Sequence, residues 1–340
     1  MLTDLDHAGL ESYRSDYREP ADFDSFWADT LAQAREHDLA LQIEPVPTDL
    51  LTIEVFDVTF AGFGGHRVRA WLRVPAGRPG PLPAVVQFHG YGSGRGAPVE
   101  DLLWASAGYA HLLMDVRGQG GAHAGGDTPD PVGSGPSYPG FLTRGIRSPD
   151  SYFYRRVFTD AVRAVEAVRA LDLVDPARVG IVGASQGGGI ALATAGLLGD
   201  IAALHVQAPF LCDIRRATLI TGSMPYAELT GYLAAHRGEV DQVFRTLSYF
   251  DGIGFARRAT AHAWFSCGLM DDICPPSTAF AAFHAYRGQA RMQAWKYNGH
   301  EAGGAEDLTT ALASFRGLLQ APSLPRTDRG AAGRKVLFGA

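Results

Sequence analysis

At 340 residues with 46% apolar composition, the chain can bury a large core as one big domain or two small ones. Its formal net charge is −6, and arginine carries nearly all the positive charge, Lys296 and Lys335 being the only lysines; this leaves no basic patch and excludes a nucleic-acid partner. No apolar run is long enough to span a membrane, the first residues lack a basic-then-apolar leader, and the three cysteines, Cys212, Cys267 and Cys274, are odd in number without metal-type spacing, which fits a reducing compartment and predicts a soluble cytoplasmic protein.

Residues 1–50 read as an N-terminal cover, with a helix over 21–36 in which Phe23, Phe26, Trp27, Thr30 and Leu31 share one face. Alternation then takes over: Ile53 to Phe60 and Val68 to Val74, separated by Gly62-Phe63-Gly64-Gly65, predict a hairpin. Ala84 to Phe88 is a short continuous apolar run, as expected of a strand buried on both faces, and it ends in His89-Gly90-Tyr91-Gly92. A short helix at 102–106 and a strand at 111–116 follow, and the strand breaks at Arg117-Gly118-Gln119. The Gly-, Pro- and Asp-rich loop at 121–150 is long enough to predict a functional or interface role. Val157, Phe158, Ala161, Val162, Val165 and Val168 recur at helical spacing between 153 and 171.

Next comes Val179 to Val182, leading into Gly183-Ala184-Ser185-Gln186-Gly187 and then a run of small residues that reads as a helix. A Gly-x-Ser-x-Gly turn between strand and helix is a nucleophile elbow, whose glycines let the chain fold tightly enough to present the serine hydroxyl. After a strand at 203–208, residues of about 213–260 depart from the alternating pattern as amphipathic helices, predicting a cap inserted over the sheet. Strands return at 262–267, leading to Asp271-Asp272, and at 292–297, leading to His300; a last helix spans 305–319, and residues 321–340 are expected to be a disordered tail. Strand and helix in alternation call for a mostly parallel central sheet flanked by helices. The expected fold is thus an α/β-hydrolase domain over 1–320 with a small helical cap.

A serine nucleophile needs a base, and the base needs an acid to orient it. In the hydrolase order the acid follows a later strand and the histidine the last one, so His300 is the base. His89 also ends a buried strand, but it lies upstream in the loop expected to supply oxyanion donors and reads as a wall residue. Asp271 and Asp272 compete for the acid, because in an extended chain their side chains point in different directions. The oxyanion hole is expected to combine the N–H of Gln186 with that of Tyr91, and Arg117 is expected to hold neighbouring loops by charge-assisted hydrogen bonds. Tyr91, Pro225 and Ile273, with Pro275, are expected to line a pocket with little room for an acyl chain.

Several longer stretches carry a resemblance: Arg117-Gly118-Gln119, Tyr138 to Gly145, Tyr154 to Asp160, the elbow, Gly268 to Pro276, and His300-Glu301. From about Tyr17 to Leu319 the chain resembles carbohydrate esterase family seven, the acetyl xylan esterases and cephalosporin C deacetylases. The resemblance implies a triad of Ser185, Asp271 and His300, oxyanion N–H groups from Tyr91 and Gln186, no metal and no cofactor, and a homohexameric ring acting on small acetyl esters. His89 and Gly92-Ser93 depart from the family pattern around Tyr91, and the tail after Leu319 is longer than that pattern requires. Three readings stand as alternatives to acetyl-sugar hydrolysis: a general short-chain carboxylesterase, an acetyltransferase and a non-catalytic binding protein.

Overall fold

A computed structural model describes residues 4–133, 140–320 and 335–338. The chain opens with α1 (His7–Ser12), α2 (Phe23–Arg35), β1 (Gln42–Val46), β2 (Ile53–Ala61) and β3 (Arg67–Pro75), followed by β4 (Leu82–Phe88), α3 (Leu103–Ser106) and β5 (Ala110–Met114). The centre is α4 (Phe153–Arg169), β6 (Val174–Ala184), α5 (Gln186–Leu198) and β7 (Ala203–Gln207). Four helices lie between β7 and the next strand: α6 (Ile214–Ile220), α7 (Tyr226–Ala235), α8 (Val240–Leu247) and α9 (Gly252–Ala256). The chain then runs through β8 (His262–Gly268), α10 (Pro276–Ala285), β9 (Ala290–Trp295), α11 (Ala305–Phe315) and β10 (Lys335–Phe338).

The strands form one sheet in the order β1-β2-β3-β5-β4-β6-β7-β8-β9-β10. Pairing is antiparallel from β1 to β5 and parallel from β5 to β10, so this is the mostly parallel α/β sheet expected from the alternation. Strand periodicity sorts its side chains onto two covered faces. Ala84, Val86, Phe88, Val179 and Ile181 join the large core under α4, α5 and the N-terminal segment, whereas Val85 and Val182 pack with Trp104, Phe315 and Leu319 on the other face. α5, apolar on every side, is buried along most of its length. α2 closes the outer layer, since Trp27 sits against Phe158, Phe250 and Phe255 and donates its indole N–H to the Tyr249 carbonyl (3.0 Å).

β6 begins at Val174, earlier than the apolar run suggests, because Val174 pairs with Leu82 across an irregularity in the ladder. The expected disordered tail is corrected at Lys335–Phe338, which pairs in parallel with β9 while Phe338 stacks on His7 (4.1 Å between ring centres). Its alternate residues Val336 and Phe338 are half-buried, a two-residue signal that the Pro-, Gly- and Arg-rich stretch before it hides. The rest of 321–340 lies outside the described residues, as does the Tyr138-Pro139 start of one family-like motif.

The loop after β5 is held by buried charge. Asp115 accepts N–H bonds from Arg95 (3.0 Å), Asp127 (2.6 Å) and Thr128 (2.7 Å). Arg117 forks onto Asp160 of α4 (2.6 and 2.8 Å) and reaches Asp130 (3.3 Å), which also takes a fork from Arg156. Arg117 thus has the loop-holding contacts expected of it; removing one partner of such a buried pair typically costs about 3–5 kcal/mol. No described helix is long and apolar enough to cross a membrane.

Candidate active site

Ser185 stands between β6 and α5 with φ +54° and ψ −122°, a left-handed backbone that a side-chain-bearing residue adopts only under constraint. The constraint is steric. A Cβ on Gly183 would lie 2.1 Å from the Gly187 carbonyl oxygen, and one on Gly187 would lie 2.1 Å from that of Phe88, so both glycines are required for the turn to close against β4. The Ser185 N–H is held by the Gln207 carbonyl on β7 (2.9 Å), and its own carbonyl accepts from Phe210 (2.9 Å). The hydroxyl is left at the head of α5, partly open to solvent.

Of the two competing acids, Asp271 faces His300: its Oδ2 lies 2.8 Å from His300 Nδ1, while its Oδ1 accepts the N–H groups of Ile273 and Cys274 (2.9 Å each). Asp271 is fully buried and His300 part-exposed. Asp272 is exposed and receives the Ser223 hydroxyl (3.3 Å). Cys274, whose N–H rests on Asp271, carries a buried thiol. Burial pushes that thiol well above its usual range, which keeps it protonated. All three cysteines are buried and free.

The segment carrying His300 is pinned from several sides. Asp307, buried at the start of α11, accepts the indole N–H of Trp295 (3.0 Å), the N–H of Gly303 (2.8 Å) and the hydroxyl of Ser266. Glu301 turns back onto the Gly299 N–H (3.2 Å) and the Asn298 side chain (3.0 Å), and its carbonyl accepts from Gln207.

The expected oxyanion donors are Tyr91 and Gln186, and among the described residues neither backbone N–H is engaged by a protein acceptor. Their two loops are tied together by Gln119. Its Oε1 accepts from Gly92 N (2.7 Å) and Gln186 Nε2 (3.1 Å), and its Nε2 donates to Gln186 Oε1 (2.9 Å), which also receives the Tyr154 hydroxyl (2.8 Å). His89 makes structural contacts. Its Nε2 accepts the Val116 N–H (3.1 Å), so that nitrogen carries no proton, and burial lowers its pKa, leaving the ring neutral despite Asp115 nearby at 3.9 Å. The Tyr91 phenol is occupied by Glu228, Phe141 and Leu142. Pro225 is buried at the head of α7, and Ile273 is half-buried beside Asp271. A cavity of about 420 Å³ between Tyr17, Asp213 and Phe244 contains none of Ser185, Asp271 and His300.

A parallel sheet that carries a serine on a strained strand-to-helix turn, an acid after a later strand and a histidine after the next defines an α/β-hydrolase. Solved structures agree at the level of fold: Pyrococcus horikoshii acylaminoacyl peptidase is similar over 82% of this chain and 44% of that one, with TM-score 0.58 and 16% identity. The acetyl xylan esterase (AXE1) family model matches residues 1–315, and the chain belongs to that family. It is similar to the acetyl xylan esterase from Paenibacillus sp. R4, with TM-score 0.88, 37% identity, and coverage of 93% of this chain and all of that one. Acetyl xylan esterase 1 from Thermoanaerobacterium sp. JW/SL YS485 gives TM-score 0.85 and 32% identity over 92% and 99% of the two chains. A curated relative, acetyl esterase Axe7A of Xylanibacter ruminicola, is 26% identical over 282 residues, 78% of this chain, and the chain spans 60% of that relative's length.

Proposed function

We propose that this chain is a serine esterase that removes acetyl groups from small acetylated carbohydrates such as xylo-oligosaccharides, and from cephalosporin C-type esters, through an acyl-enzyme. The observation that carries the reading is the Asp271 to His300 hydrogen bond at 2.8 Å, set beside a strained Ser185 in a chain of the acetyl xylan esterase family.

With Nδ1–H donated to Asp271, His300 keeps Nε2 free to take the Ser185 proton as Oγ attacks the acetyl carbonyl. The negative oxygen that forms is received by the Tyr91 and Gln186 N–H groups, at the positive end of α5. His300 then returns the proton to the departing sugar oxygen, and water, activated by the same imidazole, releases acetate from Ser185. No step requires a metal or cofactor. The same resemblance and the Gly/Pro-rich loop at 121–150 support a homohexamer.

Tyr91, Pro225, Ile273 and Pro275 crowd the acyl side, so kcat/KM for 4-nitrophenyl esters is expected to fall steeply from acetate through propionate to butyrate and octanoate. A methylene that a hydrophobic pocket rejects costs roughly 1–3 kcal/mol, or about 10–200-fold. Equal or rising values with chain length would point to a general carboxylesterase instead. Assays with acetylated xylo-oligosaccharides and cephalosporin C in parallel test the alcohol side.

A further inference from the structure

α7 belongs to the cap, yet it sends one charged side chain into the interior. Glu228 is fully buried. Its carboxylate receives the Tyr91 hydroxyl at 2.6 and 2.8 Å and the Leu142 N–H at 2.9 Å. The phenol oxygen is itself an acceptor for the N–H groups of Phe141 (2.6 Å) and Leu142 (3.1 Å), so every hydrogen-bonding position on it is filled. The loop approaches Glu228 closely: a Cβ at Gly140, whose φ is +133°, would fall 2.0 Å from the Glu228 carboxylate. Burial favours the neutral form of Glu228, and the donors around it favour the carboxylate. A buried carboxylate of this kind is tolerated only when fully hydrogen-bonded.

Glycines flank Tyr91 on both sides, and the loop holds them: the Gly90 carbonyl accepts from Ser93 N (3.3 Å) and faces His89 Nδ1 (3.1 Å), while Gly92 donates to Gln119 and accepts from Gly120 (3.1 Å) and Ala122 (3.0 Å). Tyr91 stands between these two anchored glycines, and its own N–H has no protein acceptor among the described residues, so its phenol is the further point at which it is held. The Tyr91 ring packs edge-on against Phe141 (5.4 Å) and Phe210 (6.0 Å), and Phe210 bonds the Ser185 carbonyl. The rigid phenol is therefore a lever whose far end is gripped by the cap and whose near end carries a backbone N–H towards the serine.

We propose that Glu228 is a positioning residue for the oxyanion hole: by gripping the Tyr91 phenol it holds the Tyr91 N–H where the negative oxygen develops, which makes the cap part of the hydrolytic apparatus. The proposal rests on the reading of Ser185 as nucleophile and of Tyr91 as oxyanion donor. Preorganised donors act because they are already aimed when charge develops, and loss of one outright costs about 10²–10³ in kcat. A donor that is loosened rather than lost should cost less.

The test compares Glu228→Gln, Tyr91→Phe and the double variant with Glu239→Gln, which breaks another tie between the cap and the 140s loop, the Arg147 pair, without touching Tyr91. Active sites are first counted by fluorophosphonate labelling of Ser185, so that misfolded protein does not enter the rates. kcat and KM for 4-nitrophenyl acetate are then measured, with the affinity for a boronic acid that forms a tetrahedral adduct on the serine. Glu228→Gln is expected to lower kcat by roughly 10–100-fold, with KM changed less than about twofold and boronate affinity falling in parallel. Tyr91→Phe should behave alike, the double variant should be no worse than either single one because the two act as a unit, and Glu239→Gln should keep wild-type kcat. Unchanged kcat in Glu228→Gln, a loss of kcat with boronate affinity intact, or additive losses would overturn the proposal while leaving the serine mechanism standing. Failure of the wild type to take the fluorophosphonate would overturn both.

Discussion

Ser185 is strained because its neighbours permit nothing easier: Gly183 and Gly187 meet across the turn at distances that exclude a side chain, which fixes the serine at a positive φ. That pair of glycines is why the nucleophile candidate is visible in the sequence. His300 is visible for a similar reason, since it follows a strand in the place where the fold order calls for a base. The choice between Asp271 and Asp272 is not visible, because it depends on which way a turn faces; the Ile273 and Cys274 N–H groups settle the orientation by gripping Asp271 Oδ1. Asp271→Asn should therefore present the wrong imidazole tautomer and lower kcat by about 10⁴, whereas Asp272→Asn, on an exposed carboxylate, should cost far less. Steady-state kinetics of the two variants check this, and the reverse ranking would reassign the acid. Gln119, Tyr154 and Glu228 were beyond sequence reasoning: their partners lie 67, 32 and 137 residues away, and no local pattern announces such contacts.

Among elements, those that bury a regular face were legible, as with α4 and the parallel strands. α1, β1 and β10 were not. β1 exposes nearly every residue, so it has no alternation to read and exists only because β2 offers it a partner. The helices between β7 and β8 are readable as amphipathic, but not the clasp at their base. There Asp251 accepts the N–H groups of Asp213 (3.1 Å) and Ile214 (2.8 Å) at the start of α6, and caps α9 through Ile253 N (3.0 Å). Burial, with the Asp213 charge beside it, pushes Asp251 up to about 7. An acid whose folded pKa lies above its unfolded value of about 3.9 binds more protons when folded, so its contribution to stability is complete below about pH 4 and is lost as pH rises through about 7. The local slope approaches about 1.4 kcal/mol per pH unit in that window. Urea midpoints of wild type and Asp251→Asn across pH 4–8 should show a decline in the wild type that the variant lacks; parallel curves would contradict the assignment.

On the scale of the molecule, a sheet covered on both faces brings the ends of the parallel strands β6, β8 and β9 to one edge, and the segments that follow them carry Ser185, Asp271 and His300. The same economy applies at the margins: β10 covers the outer edge of β9, and its Phe338 meets His7 near the start of the chain. A homohexamer predicts a light-scattering mass six times the chain mass of 36.3 kDa at micromolar concentration, and the mass of a single chain would contradict it. The central claim, that Ser185 carries the acetyl group between sugar and water, is tested most directly by acid-quenching the enzyme during turnover of 4-nitrophenyl acetate and mapping acetylated peptides by mass spectrometry. The account predicts one acetyl group, on the peptide containing Ser185, appearing at the rate of the first burst of nitrophenol and absent in Ser185→Ala, whose activity should fall by as much as ~10⁶. Turnover with no acetyl group on Ser185, or an active Ser185→Ala protein, would contradict it.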